Sequence, residues 1–225
     1  KNLTGSGREW FGDEFNYITQ SRVYTNILPG LVSNQTITYR IRLAARSSSI
    51  TSFTIEESGQ FLGNININGV NLADGIGYYA LRNTGIFTRS SNLSSERSIL
   101  KITYNISDAV SSGYLEYYEI QYPRYLKAFN DKITFYSPNK NGTFEYVISE
   151  FSNSDILVFD VKDFANVKIV SGQISGMQFT FRAREVKNSP SKYFAVGRNG
   201  YLVPNEIIKI PNQNLHGIVE GGDFI

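Results

Sequence analysis

Thr36-Ile37-Thr38-Tyr39-Arg40-Ile41-Arg42-Leu43 alternates polar and apolar side chains over eight residues. Successive side chains of a strand point to opposite faces, so this run reads as a β-strand with one wet face and one buried face. The pattern recurs on both sides of it. Ser52 to Ile55, Asn64 to Gly69, Ser98 to Tyr104 and Gly113 to Ile120 repeat it. After Pro123 the same reading gives strands at Lys132 to Tyr136, Thr143 to Ile148, Asp155 to Phe159, Val167 to Val170, Gln178 to Arg184 and Lys192 to Val196. Helix is expected for a turn or two at most, around Asp163 to Asn166. The composition agrees: 15 Tyr and 15 Phe stand against one Met, and aromatic and β-branched residues fit a pleated, half-buried surface.

Turn chemistry punctuates the runs. Asn68-Gly69, Asn141-Gly142 and Asn199-Gly200 are pairs that tolerate positive φ, and Pro29-Gly30, Ser112-Gly113 and Ser189-Pro190 mark further corners. So many short strands predict an all-β protein of β-sandwich or jelly-roll architecture, in two consecutive sandwiches, because one open sheet of that size would curl or split. Pro123 cannot donate to a ladder, so the seam is set there. The expected units are residues 1–125, 126–211, and a linker at 212–225.

The chain excludes several chemistries by what it lacks. With no Cys and a single His, His216, it offers no thiol nucleophile and few zinc ligands. His216 sits in a Pro211-Asn212-Gln213-Asn214 stretch that reads as linker. A net charge of +2 with scattered Lys and Arg gives no phosphate-tracking surface, so nucleic acid is not an expected partner. No run of about 18 apolar residues spans a membrane. Paired carboxylates for glycoside hydrolysis are sought at Asp13-Glu14, Glu56-Glu57 and Glu116/Glu119. Strand parity separates the last two pairs, so these are read as solvated faces and rims. Asp13-Glu14 leaves room for a structural calcium ion, without the Asp-x-Asp spacing that would support one; no other cofactor is expected. Asn34-Gln35-Thr36, Asn92-Leu93-Ser94 and Asn105-Ile106-Ser107 are glycosylation triplets of a kind that an Asn- and Ser-rich chain produces by chance.

Several stretches, in order along the chain, carry a family resemblance. Gly7-Arg8-Glu9-Trp10-Phe11-Gly12-Asp13-Glu14-Phe15 resembles the Gly-Arg-Glu-Trp-Tyr/Phe-Gly-Glu/Asp opening of the gingipain-like type IX secretion sortases (the Por secretion system protein U family) of Bacteroidetes. Gly113-Tyr114-Leu115-Glu116-Tyr117-Tyr118-Glu119-Ile120 with Arg124-Tyr125-Leu126 is similar to that family's Gly-Tyr/Trp-Leu-Asp-Tyr-Ile strand and trailing Arg-x-Leu, with Glu116 in place of the usual Asp. Asp155-Ile156-Leu157-Val158-Phe159-Asp160-Val161 stands where the family has Ile-Trp-Asp-Val-Thr, from which Phe159 and Lys162 depart. Asn214-Leu215-His216-Gly217 and Asp223-Phe224-Ile225 look like the linker and first strand of a caspase-like peptidase domain, and both chain ends read as cut.

The resemblance implies a non-catalytic N-terminal region of a cysteine peptidase. Its relatives remove C-terminal sorting domains from secreted cargo and help attach the cargo to the cell surface. The family's catalytic His and Cys would lie downstream, so no catalytic residue transfers to this chain. The implied location is exported, at the bacterial outer membrane or cell surface. The implied partners are the chain's own downstream peptidase domain and outer-membrane secretion components. Arg8, Trp10, Asp13 and His216 are the candidates for interdomain contact, with Trp10 read first as a buried anchor. The competing expectation is a carbohydrate-binding jelly roll, which would show a contiguous cleft lined by exposed rings.

Overall fold

The computed structural model describes residue 3 and residues 10–74, 77–106 and 108–211. Fifteen strands run in order: β1 (Glu14–Phe15), β2 (Ser21–Ile27), β3 (Thr36–Arg46), β4 (Thr51–Glu57), β5 (Gln60–Ile67), β6 (Leu81–Ser90), β7 (Arg97–Asn105), β8 (Ser112–Gln121), β9 (Lys132–Tyr136), β10 (Gly142–Ile148), β11 (Ile156–Asp160), β12 (Lys168–Ile169), β13 (Gln173–Ser175), β14 (Gln178–Glu185) and β15 (Lys192–Gly197). Among the described residues the helical elements are 3₁₀ turns at Ser94–Glu96 and Arg198–Gly200. The helical turn expected near Asp163 is a bend: the Asp163 carboxylate accepts the Ala165 N–H at 3.0 Å and its carbonyl accepts the Asn166 N–H, closing a local turn instead.

All strand pairings between named strands are antiparallel and make four sheets, ordered β1-β8-β3-β6, β2-β7-β4-β5, β12-β11-β15-β9 and β10-β14-β13. The first two sheets enclose one core. Ile37, Tyr39, Ile41 and Leu43 of β3 meet Phe53 and Ile55 of β4 and Leu100, Ile102 and Tyr104 of β7. The opening stretch thus supplies the central wall of this core, every second side chain fully buried. The other two sheets enclose a second core, in which Phe135, Tyr146, Phe181 and Tyr193 lie with neighbouring ring centroids 4.8–5.7 Å apart. Such ring pairs add roughly 0.5–1.5 kcal/mol beyond area burial.

The hairpin chemistry differs from the sequence expectation. None of the three Asn-Gly pairs joins two neighbouring strands. The β4–β5 hairpin turns on Ser58-Gly59, both at positive φ (51° and 76°), as a two-residue turn matching the strand twist requires. Gly69 serves a close approach, since a Cβ there would fall 2.7 Å from the Ser48 carbonyl. Strands β2 and β6, which carry little alternation of strongly apolar residues, were not legible from periodicity. They pair along their length with β7 and β3.

Between the two pairs of sheets the chain is held on both sides. The Val32 N–H donates to the Pro123 carbonyl (3.0 Å) and the Tyr125 N–H to the Gly30 carbonyl (2.8 Å). A few residues on, Ser149 N–H donates to Leu126 O and Ala128 N–H to Ser149 O. Lys127 Nζ lies 2.6 Å from Glu150 Oε1.

Candidate functional site

Two of the motifs that carry the family resemblance lie about a hundred residues apart, and the fold brings them into one ladder. Glu14 pairs with Tyr114 and Phe15 with Gly113. Gly12 N–H donates to Leu115 O, and Leu115 N–H to Asp13 O, each at 2.9 Å. The close fit has a reason in the sequence: a Cβ on Gly113 would stand 2.4 Å from Phe53 Cζ, so only glycine lets β8 settle onto the core beside Phe15. Phe11, Ala44 and Tyr114 form a small buried cluster at this corner with Leu3 and Ala80.

Trp10, expected as an anchor, is 66% exposed, and the anchor of this segment is its neighbour Phe11, at 2%. Burial alternates along an extended run, so only one of two adjacent rings can face the core. Asp13 is tied down locally. Its Oδ2 accepts the Tyr24 hydroxyl at 2.7 Å and its Oδ1 lies 3.8 Å from Arg22. Burial, reinforced by that acceptor, pushes the Tyr24 phenol up. Arg8 and His216, the other two contact candidates, lie outside the described residues, as do 212–225, where the linker and first peptidase strand were expected.

The carboxylates fall into two sets. Glu56 points outward to Lys101 at 2.8 Å, while Glu57 points inward, fully buried. Glu57 was expected on a solvated rim; instead Ile99 N–H (2.8 Å), Ser58 Oγ (2.8 Å) and Ser98 Oγ (2.6 Å) saturate its oxygens, which makes burial affordable. Glu116 and Glu119 were expected on opposite faces. A bulge opposite Arg42/Leu43 inserts Glu116 as the extra residue and resets the parity. Glu116 then lies 2.8 Å from Arg42 and Glu119 3.8 Å from Arg40. Each carboxylate has its own guanidinium on one face, an ion-pair ladder.

Two buried carboxylates escaped the sequence reading. Glu185, 2% exposed, accepts Tyr193 Oη (2.7 Å) and Tyr146 Oη (2.9 Å) on one oxygen and Ser191 Oγ (2.8 Å) on the other. Burial works to raise its pKa, but these hydroxyl donors together prevail and hold it below the ordinary carboxylate value. Asp131, at φ 62°, accepts Ser152 N–H (2.7 Å), Ser152 Oγ (2.8 Å) and Asn199 N–H (2.9 Å), while its carbonyl accepts Gly197 N–H. Burial again opposes ionisation, and the three donors outweigh it and lower the pKa. Their sequence signal was an acid at an inward strand position (Glu185) and an Asn-Asp pair at a turn (Asn130-Asp131).

A general acid needs a raised pKa and an open side toward substrate, and both buried acids whose titration is displaced are shifted downward and closed by donors. Among the described residues no cluster of three or more His, Asp or Glu could hold a metal ion. Among the surface grooves, one of about 750 Å³ is lined by Asn141, Gly142, Thr143, Arg184, Glu185 and Val186, without an aromatic ring. A groove of about 380 Å³ on sheet β10-β14-β13 is lined by Glu145, Ser171–Gln173, Thr180, Phe181 and Arg182, and its one ring, Phe181, is core-packed. A smaller one of about 220 Å³ beside Gly69–Asn71 presents Tyr78.

The four antiparallel sheets around two cores define an all-β protein of β-sandwich class. A solved structure gives that class a counterpart. The chain is similar to dimeric latent PorU from Porphyromonas gingivalis, with a TM-score of 0.76 and 17% identity over 96% of this chain. It spans about a fifth (21%) of the length of that protein. It also overlaps partly, over 51% and 54% of its length, with the carbohydrate-binding module CBM36 in complex with calcium and xylotriose (TM-score 0.33, 12% identity) and with the sugar-binding EclA C-terminal domain (TM-score 0.34, 10% identity). No family model and no curated protein matches the sequence. Among the described residues, no helix is long and apolar enough to cross a membrane.

Proposed function

We propose that this chain is a non-catalytic β platform, the N-terminal accessory region of a gingipain-like cysteine peptidase of the type IX secretion system. In this reading it is divided near residue 125, exported, and carried at the cell surface. The observation that supports it best is the meeting of the two resembling motifs: residues 12–15 and 113–115, chosen for their likeness to one family, hydrogen-bond to each other and share a core. A motif kept for chemistry would present polar atoms to solvent; this one places its backbone polar atoms in a ladder and packs Phe11 and Phe15 into the interior. The platform's role is to support and orient the peptidase domain that follows, with secretion components of the outer membrane as further partners.

The parent protein tests this reading. Its coding sequence beyond residue 225 is expected to encode an α/β domain with a His and a downstream Cys. Purified parent is expected to cleave peptide substrates, and to lose that activity when the downstream Cys is replaced by Ala. A stop codon, or a downstream sugar-binding repeat, would overturn the proposal.

A further inference from the structure

The outward face of sheet β2-β7-β4-β5 mixes polar side chains with the exposed Val23, Ile27 and Ile99, and polar residues dominate on two other sheets, as on solvated sheets. On sheet β10-β14-β13, for instance, Thr143 and Glu145 stand beside Thr180, Arg182 and Arg184. The sheet β12-β11-β15-β9 is different. Its inward face carries Val158, Tyr193, Ala195, Ile133 and Phe135. Its outward face is apolar as well. Across one row Ile169 pairs with Phe159, Phe159 with Phe194, and Phe194 with Thr134; in the next, Leu157 pairs with Val196 and Val196 with Lys132. Lys192 pairs with Tyr136 and lies 5.2 Å from the ring centre of Phe164, which the loop after β11 lays against it. Ile169, Phe164 and Tyr136 are 71%, 75% and 63% exposed. No carboxylate occupies a strand position on this face, and neither Lys132 nor Lys192 has an ion-pair partner among the described residues.

We infer that this outward face is where the chain docks onto the folded domain that follows it in the longer protein, an inference that rests on the reading above. Two observations select that occupant. The chain leaves the sandwich at the rim of this face: a Cβ on Gly200 would fall 2.8 Å from Val196 Cγ2. The segment it then enters, 201–211, is exposed throughout and rich in aliphatic residues, with Leu202, Val203 and Ile207 each more than 80% exposed. A domain tethered by this segment is delivered to this face, and its docking would cover both sets of apolar side chains, the ordinary fate of a large exposed apolar patch. The complementary surface is apolar at its centre, with carboxylates opposite Lys132 and Lys192. These two cations, Lys192 over the Tyr136 and Phe164 rings and neither paired with a carboxylate among the described residues, also disfavour a face-to-face pairing of two copies, which would set like charges together.

Single-cysteine labelling of the full parent tests this. Ile169→Cys and Phe164→Cys are compared with Val23→Cys, a control on the outward face of the first core. Maleimide rates are read by peptide mass spectrometry and each is normalised to the urea-unfolded protein. Positions 169 and 164 are expected to label at least tenfold more slowly than position 23. The pair Lys132→Glu and Lys192→Glu is expected to bring the rate at 169 back toward the control. Labelling at 169 as fast as at 23 overturns the inference. So does shielding that appears only as protein concentration rises, which marks a second copy, or only on adding anionic phosphatidylglycerol vesicles, which marks a lipid surface. A parent with no folded domain after residue 225 defeats the proposed function as well, whereas fast labelling in a parent that has one defeats this inference alone.

Discussion

Glu185 and Asp131 show how single residues give the second core its chemistry. Both carboxyls ionise more readily in the folded state than in the unfolded chain, where 4.5 and 3.8 are the ordinary values. A depressed folded pKa contributes stability that is present above the unfolded value and is lost as pH falls through the folded one. The folded protein is therefore expected to weaken as pH drops below about 4.5, with the second core affected first. Urea midpoints measured from pH 7 to pH 2.5 check this, and Glu185→Gln combined with Asp131→Asn should flatten the acid limb. At pH 7, Glu185→Ala leaves two tyrosine hydroxyls without their acceptor. It is expected to cost about 2–4 kcal/mol of unfolding free energy by urea titration. The lesson for reading sequences also sits at this scale: an acid at an inward strand position looks like one on a rim until its donors are seen. Those donors, Tyr146, Tyr193 and Ser191, come from two other strands and a loop.

At the scale of elements, alternation was a sufficient guide wherever one face of a strand is apolar, as in β3, β4, β7 and β14. It failed for β2 and β6, edge strands with polar residues on much of both faces, and for the bulge in β8, because inserting one residue leaves the local pattern unbroken while reversing the parity after it. Turn signals failed differently. Asn-Gly pairs were expected as tight turns and none of the three joins neighbouring strands, whereas the β4–β5 hairpin uses Ser58-Gly59, where Ser58 takes positive φ under the constraint of the strands it joins. Gly59→Val is expected to destabilise the protein by about 1–2 kcal/mol, since a β-branched residue resists φ 76°. Gly113→Ala should cost about 1–3 kcal/mol, because the new methyl meets Phe53 and Tyr104 in a filled core. Thermal unfolding of the two variants reads both effects.

For the whole molecule, the all-β class and the two successive cores follow from strand spacing and Pro123, whereas the hydrogen bonding of the joint between them does not. That joint consists of backbone hydrogen bonds from the Gly30–Val32 turn to 123–125 and from 126–128 to Ser149, which no side-chain pattern encodes. Gly30, at φ 73°, already brings its Cβ position within 3.0 Å of the Tyr125 carbonyl. Gly30→Val should therefore loosen the joint, widening the distance distribution seen by small-angle scattering while leaving the strand signal in circular dichroism unchanged. The pairing of the stretch around Trp10 to Phe15 with β8 has a sequence signal only in the resemblance of both, and the proposed docking face has none, because its apolar residues sit on strands whose other face is apolar too. The central claim is that this chain supplies a platform and no chemistry. Its most direct test is a peptide-library digest with the purified 225-residue chain, read by mass spectrometry over time and protein concentration. The account predicts no cleavage above a buffer blank; cleavage that scales with protein and survives repurification would contradict it.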